Sequence, residues 1–521
     1  MLILFFLVSF ISTTNNAFAG DIIFSIPPYI QQTEPTGVKI RWEKRLSSNI
    51  IVRIGKLNSD NEIEVASTLL KKEIFRLPGK KAGLYEANVR GLLPNTNYYY
   101  QIIDGDDQSS VYNFKTVNDM RENFSFLVMS DAQHGHEVTT RIVNESVIYH
   151  TFINNPDKAV FPVRFSLFPG DLVQHGVIKK DWKKHFFTPL APVLHRLAIY
   201  PVKGNHEMGR FYFNRLFALP RQTSLKPHYN YYFFDYSNVR FINLDTNIGY
   251  RNKKQIKWLK TALNEAKLDD SIDFVVVQFH HPYESEAWNV GNTKFSGEIE
   301  KALEESYDYH QKPVIYFNGH THAYSRGHKL NSRLTMITVG PIGGSIDYWD
   351  RGSKDYEDYH KTISQYGWIK VLVDSNSDNP SIEIQRYGFG DKHEMKDTGV
   401  IDRYQIFKNS MPPKTPSIQK VEFKNNMLRV IGSDYGHHEA HLSTQVKVIF
   451  LNKRGKSSKQ LFNFNKNNIY GGEEHRKVAD LTEPCANLKV SKNQNISIQI
   501  RYRNQSLKWS DWSAPLSVLE K

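Results

Sequence analysis

The sequence contains a single cysteine, Cys485, among its 521 residues. An internal disulfide therefore cannot form, and metal sites built from several cysteines are excluded. No cysteine lies directly after the apolar amino-terminal segment, which argues against lipid attachment there. Long apolar stretches are also missing, because the run from Leu2 to Ile11 covers only about ten residues and a membrane-spanning helix needs about 20. We therefore expect no membrane span in the mature chain.

The first nineteen residues carry no charge. Their apolar core is followed by polar residues and by Ala17-Phe18-Ala19 before Gly20. This order is typical of an export signal cleaved near Ala19, so we expect a secreted, periplasmic or extracellular protein. The absence of Lys or Arg after Met1 departs from the usual signal, and an uncleaved anchor or a misassigned start is the alternative.

The composition indicates a folded protein with several cores. Hydrophobic residues make up 40% of the chain and aromatic residues 13%, and the length favours about three domains. The excess of Lys and Arg over Asp and Glu, 67 against 54, gives a net charge of +13. A basic surface attracts anionic substrates such as phosphate esters, but such an excess of positive charge is more often only a solvated surface. Because no compact array of basic and aromatic residues is present, we predict no nucleic-acid partner.

The hydrophobic pattern changes twice along the chain. From about Phe24 to Thr116 and again after about Ser417, apolar and polar residues alternate as in strands. Between these parts, apolar strand-like runs alternate with helical patterns, which implies an α/β domain. We predict a signal at residues 1–19 and domains at residues 20–117, 118–410 and 411–521, with a central α/β domain flanked by two all-β sandwiches.

Two local patterns support the flanking sandwiches. The segment from Leu92 to Tyr98 fits a corner in which a tyrosine hydroxyl bonds back to the preceding turn. Near the carboxyl terminus, Arg501 and Arg503 are placed to interleave with Trp509 and Trp512 as a cation–π ladder. We interpret this ladder as a folding device, with a glycan- or partner-binding surface as the alternative. The partner of this last domain is not specified by the sequence.

Polar residues follow five apolar runs of the central part. Because ligands of α/β sheets bind at the carboxyl ends of strands, we expect these residues to converge. Carboxylates, an amide and imidazoles suit two divalent or trivalent ions, and Asp171 suits the bridging position. The five segments are Ser130-Asp131-Ala132-Gln133, Gly170-Asp171, Gly204-Asn205-His206-Glu207, His280-His281-Pro282 and Gly319-His320-Thr321-His322.

The order of these five segments resembles the calcineurin-like metallophosphoesterase superfamily over about residues 119–410. The continuation through Ala323, Tyr324 and Arg326 resembles purple acid phosphatases in particular. The amino-terminal part resembles the fibronectin type III-like domain that precedes the catalytic domain in those enzymes. The resemblance therefore implies a central metallophosphoesterase sandwich preceded by a fibronectin type III-like sandwich. Near the carboxyl terminus, the segment Trp509–Ser513 resembles the Trp-Ser-x-Trp-Ser box of fibronectin-type domains, so we expect the second flanking sandwich to be fibronectin type III-like as well. The matching amino-terminal pieces are Pro28-Tyr29, Thr36-Gly37-Val38, Arg41-Trp42 and the run Leu92–Tyr98.

The resemblance also implies a role for each site residue. His206 would contact the phosphate and act as, or assist, the leaving-group acid, with Glu207 as a candidate orienter. Tyr324 and Arg326 would line the pocket mouth, while His281 would either touch phosphate or only pack beside Pro282. Two metal ions, Fe, Mn or Zn in a pair that the sequence does not specify, are the implied cofactors. Asp131, Asp171 and His322 would hold the first ion, and Asp171, Asn205, His280 and His320 the second.

Two positions depart from the resembled pattern. Purple acid phosphatases carry a metal-bound tyrosine three residues after the second aspartate, where this chain has Gln174. The broader superfamily often has histidine two residues after the first aspartate, where this chain has Gln133. An amide oxygen ligates more weakly than imidazole, so we expect a weaker first site or a preference for Mn or Fe. His134 is an alternative ligand, but the pleat should point it away from Gln133.

The expected function is that of a metal-dependent phosphoric ester hydrolase. Specifically, the sequence favours an exported binuclear-metal phosphatase in which metal-bound hydroxide attacks a phosphomonoester. A phosphodiesterase or nucleotidase using the same site is the first alternative. A non-catalytic surface-binding protein with a degenerate scaffold is the second.

Overall fold

The computed structural model of the chain describes residues 22–47, 49–59, 62–70, 72–76, 81–207, 211–220, 230–310, 312–350, 352–424, 427–451, 457–465, 485–489 and 495–518. The predicted signal peptide and its cleavage position near Ala19 lie outside these ranges. None of the helices in the described ranges combines the length and the apolar character that a membrane crossing requires.

The amino-terminal part is all-β, as predicted, and its strands form two sheets. One sheet has the order β1-β2-β6-β5, and the other has the order β4-β3-β7-β8 with β9 paired to β7. The predicted tyrosine corner is present, because the backbone N–H of Leu93 donates to the Tyr98 hydroxyl oxygen at 2.9 Å. The strands are β1 (Phe24–Glu34), β2 (Gly37–Arg45), β3 (Ile50–Leu57), β4 (Ile63–Leu70), β5 (Lys72–Arg76), β6 (Ala82–Arg90), β7 (Asn97–Asp104), β8 (Asp107–Gln108) and β9 (Tyr112–Lys115).

The central part alternates strands and helices. Its strands are β10 (Phe124–Val128), β11 (Val163–Phe168), β12 (Ala198–Pro201), β13 (Tyr232–Tyr236), β14 (Val239–Asn243), β15 (Phe274–Gln278), β16 (Val314–Asn318), β17 (Tyr324–His328), β18 (Leu334–Thr338), β19 (Tyr359–Ile363), β20 (Gly367–Asp374), β21 (Ser381–Gly388) and β22 (Gly399–Phe407). Its helices are α1 (His136–Ile142), α2 (Lys179–Asp181), α3 (Ala191–Leu194), α4 (Phe213–Leu216), α5 (Lys253–Leu268) and α6 (Lys294–His310). Single helical turns occupy Val143–Val147, Tyr149–Ile153, Trp182–Phe187, Asn205–Glu207, Ile248–Tyr250 and Asn289–Gly291.

Two sheets stack against each other in the central part. Their orders are β12-β11-β10-β20-β21-β22 and β13-β14-β15-β16-β18-β17-β19. Aromatic rings fill the space between them, with Phe126 of β10 packing edge-on against Phe241 of β14 at a centroid distance of 5.2 Å. Helices cover the outer faces, so strands such as β10 and β15 are buried along their whole length. The predicted central sandwich is thereby confirmed.

Helix α5 shows why the predicted helical spacing holds. The side chain of Asn252 caps its first turn by accepting hydrogen bonds from the backbone N–H groups of Lys254 and Gln255. Leu259 and Leu263, one turn apart, are buried against the second sheet. The apolar stripe and the cap therefore select the same helix.

The carboxyl-terminal part is again all-β, with sheets ordered β23-β24-β27 and β26-β25-β28-β29. The predicted ladder is present, because the Arg501 guanidinium carbon lies 4.4 Å from the ring centroid of Trp509 and 4.5 Å from that of Trp512. The fibronectin type III assignment and the domain boundaries stay predictions. The strands are β23 (Ile418–Lys424), β24 (Met427–Gly432), β25 (His441–Leu451), β26 (Ser457–Asn465), β27 (Cys485–Lys489), β28 (Asn495–Asn504) and β29 (Leu516–Val518).

Candidate metal centre

The five polar segments converge at one edge of the central sandwich. Three of them follow β10, β11 and β12 of the first sheet, and two follow β15 and β16 of the second. Ligand atoms of Asp131, Asp171 and His322 all lie within 4.8 Å of one another. The structure therefore brings together residues that are up to 191 positions apart between Asp131 and His322.

The backbone is bent sharply where these side chains enter the site. Asp131, Gln133, Asp171 and His320 have φ angles of 54°, 42°, 53° and 71°, a region that residues other than glycine rarely adopt. Such strain persists only where surrounding structure enforces it, and it is typical of functional sites. A Cβ atom added to Gly204 would lie 2.1 Å from Asp171 Oδ1, so only glycine allows this loop to approach the carboxylate.

Four side chains surround the position implied for the second ion. His280 Nε2 lies 3.2 Å from Asp171 Oδ2, 3.0 Å from Asn205 Oδ1 and 3.2 Å from His320 Nδ1. Two ligands at right angles around an ion about 2.1 Å away are about 3.0 Å apart, so this spacing fits one cation. His280 Nδ1 contacts the carbonyl oxygen of Pro169 at 2.8 Å, which assigns the proton to Nδ1 and leaves Nε2 available as a ligand.

The set implied for the first ion is Asp131, Asp171 and His322. His322 Nε2 lies 3.5 Å from Asp131 Oδ1, while its Nδ1 contacts the carbonyl oxygen of Ser345. Asp131 Oδ2 is buried and has no hydrogen-bond partner in the described part of the chain. Because a buried carboxylate oxygen without a donor is unfavourable, its position fits a cation.

Gln133 faces this first set of ligands with its amide nitrogen, whereas a metal ligand would present the amide oxygen. Its Nε2 donates to Asp171 Oδ2 at 3.0 Å and lies 3.1 Å from His322 Nε2. The amide must turn over before its oxygen can face an ion beside these residues. His134 is exposed and contacts the Gln174 side-chain oxygen at 3.1 Å, so it lies outside both ligand sets.

His206 lies at the open side of the two sets, with its side chain 27% exposed. Its Nδ1 lies 2.9 Å from the backbone carbonyl oxygen of Gln174, and its Nε2 lies 3.9 Å from Asp171 Oδ2. Its backbone N–H donates to Asp171 Oδ1 at 2.9 Å. This geometry holds the ring beside the shared carboxylate and directs Nε2 towards the site.

The electrostatic surroundings divide the histidines into two kinds. Burial acts to lower the pKa of His280 and of His322, but Asp171 raises the first to about 9 and Asp131 raises the second to about 9. Burial and the neighbouring His280 lower the pKa of His320 to about 3. Burial acts to raise the pKa of Asp171, but His280 and His206 hold it well below the ordinary value. His320 is therefore neutral at physiological pH and presents a lone pair. The carboxylates favour positive charge at His280 and His322, and a cation held between these groups would supply that charge in place of their protons.

Two family models match the chain. Residues 27–116 match the purple acid phosphatase N-terminal domain, and residues 124–324 match the calcineurin-like phosphoesterases. The resemblance predicted from the five segments is thereby confirmed. The comparisons support the prediction of a metal-dependent phosphoric ester hydrolase.

Curated relatives and solved structures agree with these matches. Purple acid phosphatase 15 of Arabidopsis thaliana is 24% identical over 59% of this chain and 62% of its own length, and purple acid phosphatase 22 is 25% identical over 56% and 67%. The chain thus spans 62% and 67% of the length of these two relatives and about half of the length of three other curated relatives that it matches. A purple acid phosphatase from yellow lupin (Lupinus luteus) seeds shares the fold, with a TM-score of 0.55 and 14% identity over 73% of this chain and 74% of that one. A structure titled PhoD has a TM-score of 0.55 and 12% identity over 76% and 92%.

Glu207, the predicted orienter, lies buried between two loops of the central part. Its buried carboxylate accepts backbone N–H groups of Asp171 at 3.0 Å, Leu172 at 2.8 Å and Gly204 at 2.6 Å. Burial and the Asp171 charge raise its pKa to about 8, while the N–H groups of Gly204 and Leu172 act to lower it. Glu207 therefore joins two loop backbones, and its predicted part as an orienter of His206 stays a prediction.

The prediction that Tyr324 and Arg326 line the pocket mouth is wrong. Both side chains are buried in β17. The Tyr324 hydroxyl donates to Asp402 Oδ2 at 2.7 Å, and Arg326 donates to both oxygens of Asp402 at 2.7 and 3.1 Å. Because a strand begins two residues after His322, these side chains enter the interior of the central part.

His281 packs in the interior, which is one of the two alternatives that we predicted for it. It is buried, its Nδ1 lies 2.9 Å from the Thr246 hydroxyl oxygen, and its ring centroid lies 4.5 Å from that of His320. It can also combine with His280 and His320 as a group of potential metal ligands. A direct phosphate contact by His281 stays a prediction.

Sequence reasoning missed the residues that hold the histidines in place. The backbone N–H of His322 donates to Asp347 Oδ2 at 2.8 Å, and Ser285 Oγ lies 2.7 Å from Thr321 Oγ1 between the two histidines. Neither Asp347 nor Ser285 belongs to a recognisable pattern. Only their positions in the folded chain identify them.

Proposed function

We propose that this protein is an exported binuclear-metal phosphatase that hydrolyses phosphomonoesters. The observation that carries the proposal is the position of Asp171, whose carboxylate contacts His280 on one side and Gln133 beside Asp131 and His322 on the other. One carboxylate shared by two sets of ligands is the arrangement that a pair of ions requires.

The chain's own residues supply the ligands and the proton transfer. Asp131, Asp171, Asn205, His280, His320 and His322 would hold two ions. Such ions lower the pKa of a bound water and stabilise negative charge on phosphoryl oxygens. His206 directs Nε2 into the open side of the site, where a protonated ring donates to a phosphoryl oxygen or to the departing alkoxide.

Phosphate release from a simple aryl phosphate tests this proposal. We expect activity that is lost with a chelator and restored by Mn, Fe or Zn, and a decrease of at least a hundredfold in kcat/KM for Asp171→Ala. Asp378→Ala is the matched control, because this aspartate is exposed on the turn between β20 and β21. Full activity of Asp171→Ala, or activity that survives chelation, would show the proposal to be wrong.

Paired substrates distinguish the monoesterase from the alternative diesterase. We expect kcat/KM for 4-nitrophenyl phosphate to exceed that for bis(4-nitrophenyl) phosphate. The reverse order would assign the same site to a phosphodiesterase.

Amino-terminal sequencing of the mature protein tests export, and a mature chain that starts at Gly20 is the expected result.

A further inference from the structure

One large aromatic ring lies beside the metal centre and is open to solvent. Trp288 belongs to the loop between β15 and α6, and its ring centroid lies 5.1 Å from that of His320, with an angle of 51° between the ring planes. The residue is 38% exposed. A tryptophan at the rim of a charged site leaves apolar surface in water, which is unfavourable unless something covers it.

The loop that carries Trp288 is anchored to the site itself. Ser285 on this loop contacts Thr321 between the two metal-site histidines at 2.7 Å. On the other side, the Ser353 hydroxyl donates to the carbonyl oxygen of Ala287 at 3.0 Å, and the backbone N–H of Tyr356 donates to Glu286 at 3.0 Å. The ring therefore has a fixed position relative to His320.

The turn after Trp288 packs closely against both rings. A Cβ atom added to Gly291 would lie 2.8 Å from Trp288 Cε3 and 2.9 Å from His320 Cδ2. This close approach restricts both rings before any ligand binds. A rigid ring loses little conformational entropy when a ligand stacks on it, so its exposed face is suited to binding.

We propose that Trp288 is a stacking platform for a planar aromatic group on the leaving side of the substrate. This inference rests on the proposed phosphatase function and specifies its substrate class. A phosphoryl group beside His320 places the remainder of the ester near the adjacent Trp288 ring. Planar rings stack on tryptophan, whereas aliphatic alcohols gain much less from this contact. The platform therefore favours aryl or nucleoside phosphates over aliphatic ones.

Kinetics of Trp288→Ala with three phosphomonoesters tests the platform. The substrates are 4-nitrophenyl phosphate, adenosine 5′-monophosphate and glycerol 2-phosphate. We expect kcat/KM to fall about tenfold for at least one aromatic ester, mainly through KM, and to change less than twofold for glycerol 2-phosphate. A loss for 4-nitrophenyl phosphate would mean that Trp288 stacks on a ring bonded directly to the ester oxygen. A loss for adenosine 5′-monophosphate would mean that it stacks on a base that lies one ribose away from that oxygen.

Matched variants separate stacking from loop damage. Trp288→Phe keeps a ring and should retain most of the aromatic preference. Val290→Ala changes an exposed residue of the same loop and should leave all three substrates within twofold. An equal loss for all three esters in Trp288→Ala would overturn the platform, because it would mean that Trp288 only supports His320. No loss for either aromatic ester would overturn it as well.

Equilibrium binding tests the platform without turnover. Phenylphosphonate and methylphosphonate are not hydrolysed, and we expect the wild type to bind the phenyl compound about tenfold more tightly. Trp288→Ala should bind both with similar affinity. A preference that survives the substitution overturns the platform. A wild type that shows the preference but releases no phosphate from any ester instead contradicts the proposed phosphatase function.

Discussion

Asp171 contacts three of the other polar segments that form the metal centre. Its two oxygens receive the His206 backbone N–H and the Gln133 amide, and its own N–H is held by Glu207. The sequence predicted this residue as the bridge because it follows a strand and a glycine. The partners of Glu207 could not be predicted, since they are backbone groups that meet only after folding.

Gln133 gives the most specific prediction at the scale of single residues. Its NH2 group faces Asp171 and His322, where a ligand atom would have to face an ion. In Gln133→His, an imidazole nitrogen replaces this donor, so we expect the more weakly held ion to bind about tenfold more tightly. Isothermal titration with Mn or Zn measures the two affinities.

Gln133→Ala serves as the control because it removes the amide without adding a ligand. Gln133→Ala should not increase the affinity for either ion as much as Gln133→His does. Equal or weaker binding in Gln133→His would mean that Gln133 does not limit the first site.

At the scale of elements, the strand ends determine which predictions held. Each of the five polar segments follows a strand, as predicted. These strands could be predicted because short apolar runs followed by glycine or a polar residue are distinctive in sequence. Residues after His322 were misplaced, since nothing local shows that β17 starts at Tyr324. The partner that holds this strand, Asp402, lies 76 residues beyond Arg326.

The ion pair between Arg326 and Asp402 is buried on both sides and can be tested by unfolding. Asp402→Asn leaves the Arg326 guanidinium buried without a counter-charge, so we expect the free energy of unfolding to fall by about 3–5 kcal/mol. Urea denaturation at neutral pH measures this change. As a control, Glu394→Gln removes an exposed ion pair with Lys396 and should lower the free energy of unfolding by less than about 1 kcal/mol.

The pH dependence of this difference has a definite sign. Burial acts to raise the pKa of Asp402, but Arg326 holds it well below its ordinary value in the folded protein. Its contribution is therefore complete above the unfolded pKa of about 3.9 and decreases as the pH falls below it. A stability difference between wild type and Asp402→Asn that grows on acidification would contradict this account.

At the scale of the whole molecule, the three parts are tied together by contacts that the sequence does not show. Arg41 of β2 donates to the carbonyl oxygen of Leu216 at 3.0 Å, and the Tyr29 hydroxyl donates to the same oxygen at 2.6 Å. On the other side, Trp509 Nε1 donates to the carbonyl oxygen of Leu330 at 2.9 Å. Periodicity predicted the class of each part, but such pairings join residues more than 170 positions apart and leave no local pattern.

Metal content of the purified protein tests the central claim most directly. Elemental analysis after loading with Mn, Fe or Zn and dialysis should give about two ions per chain for the wild type and for Asp378→Ala. We expect His320→Ala to lose about one ion and Asp171→Ala to lose both, because Asp171 is shared by the two ligand sets. A wild type with less than one ion per chain, or an Asp171→Ala variant with unchanged content, would contradict the account.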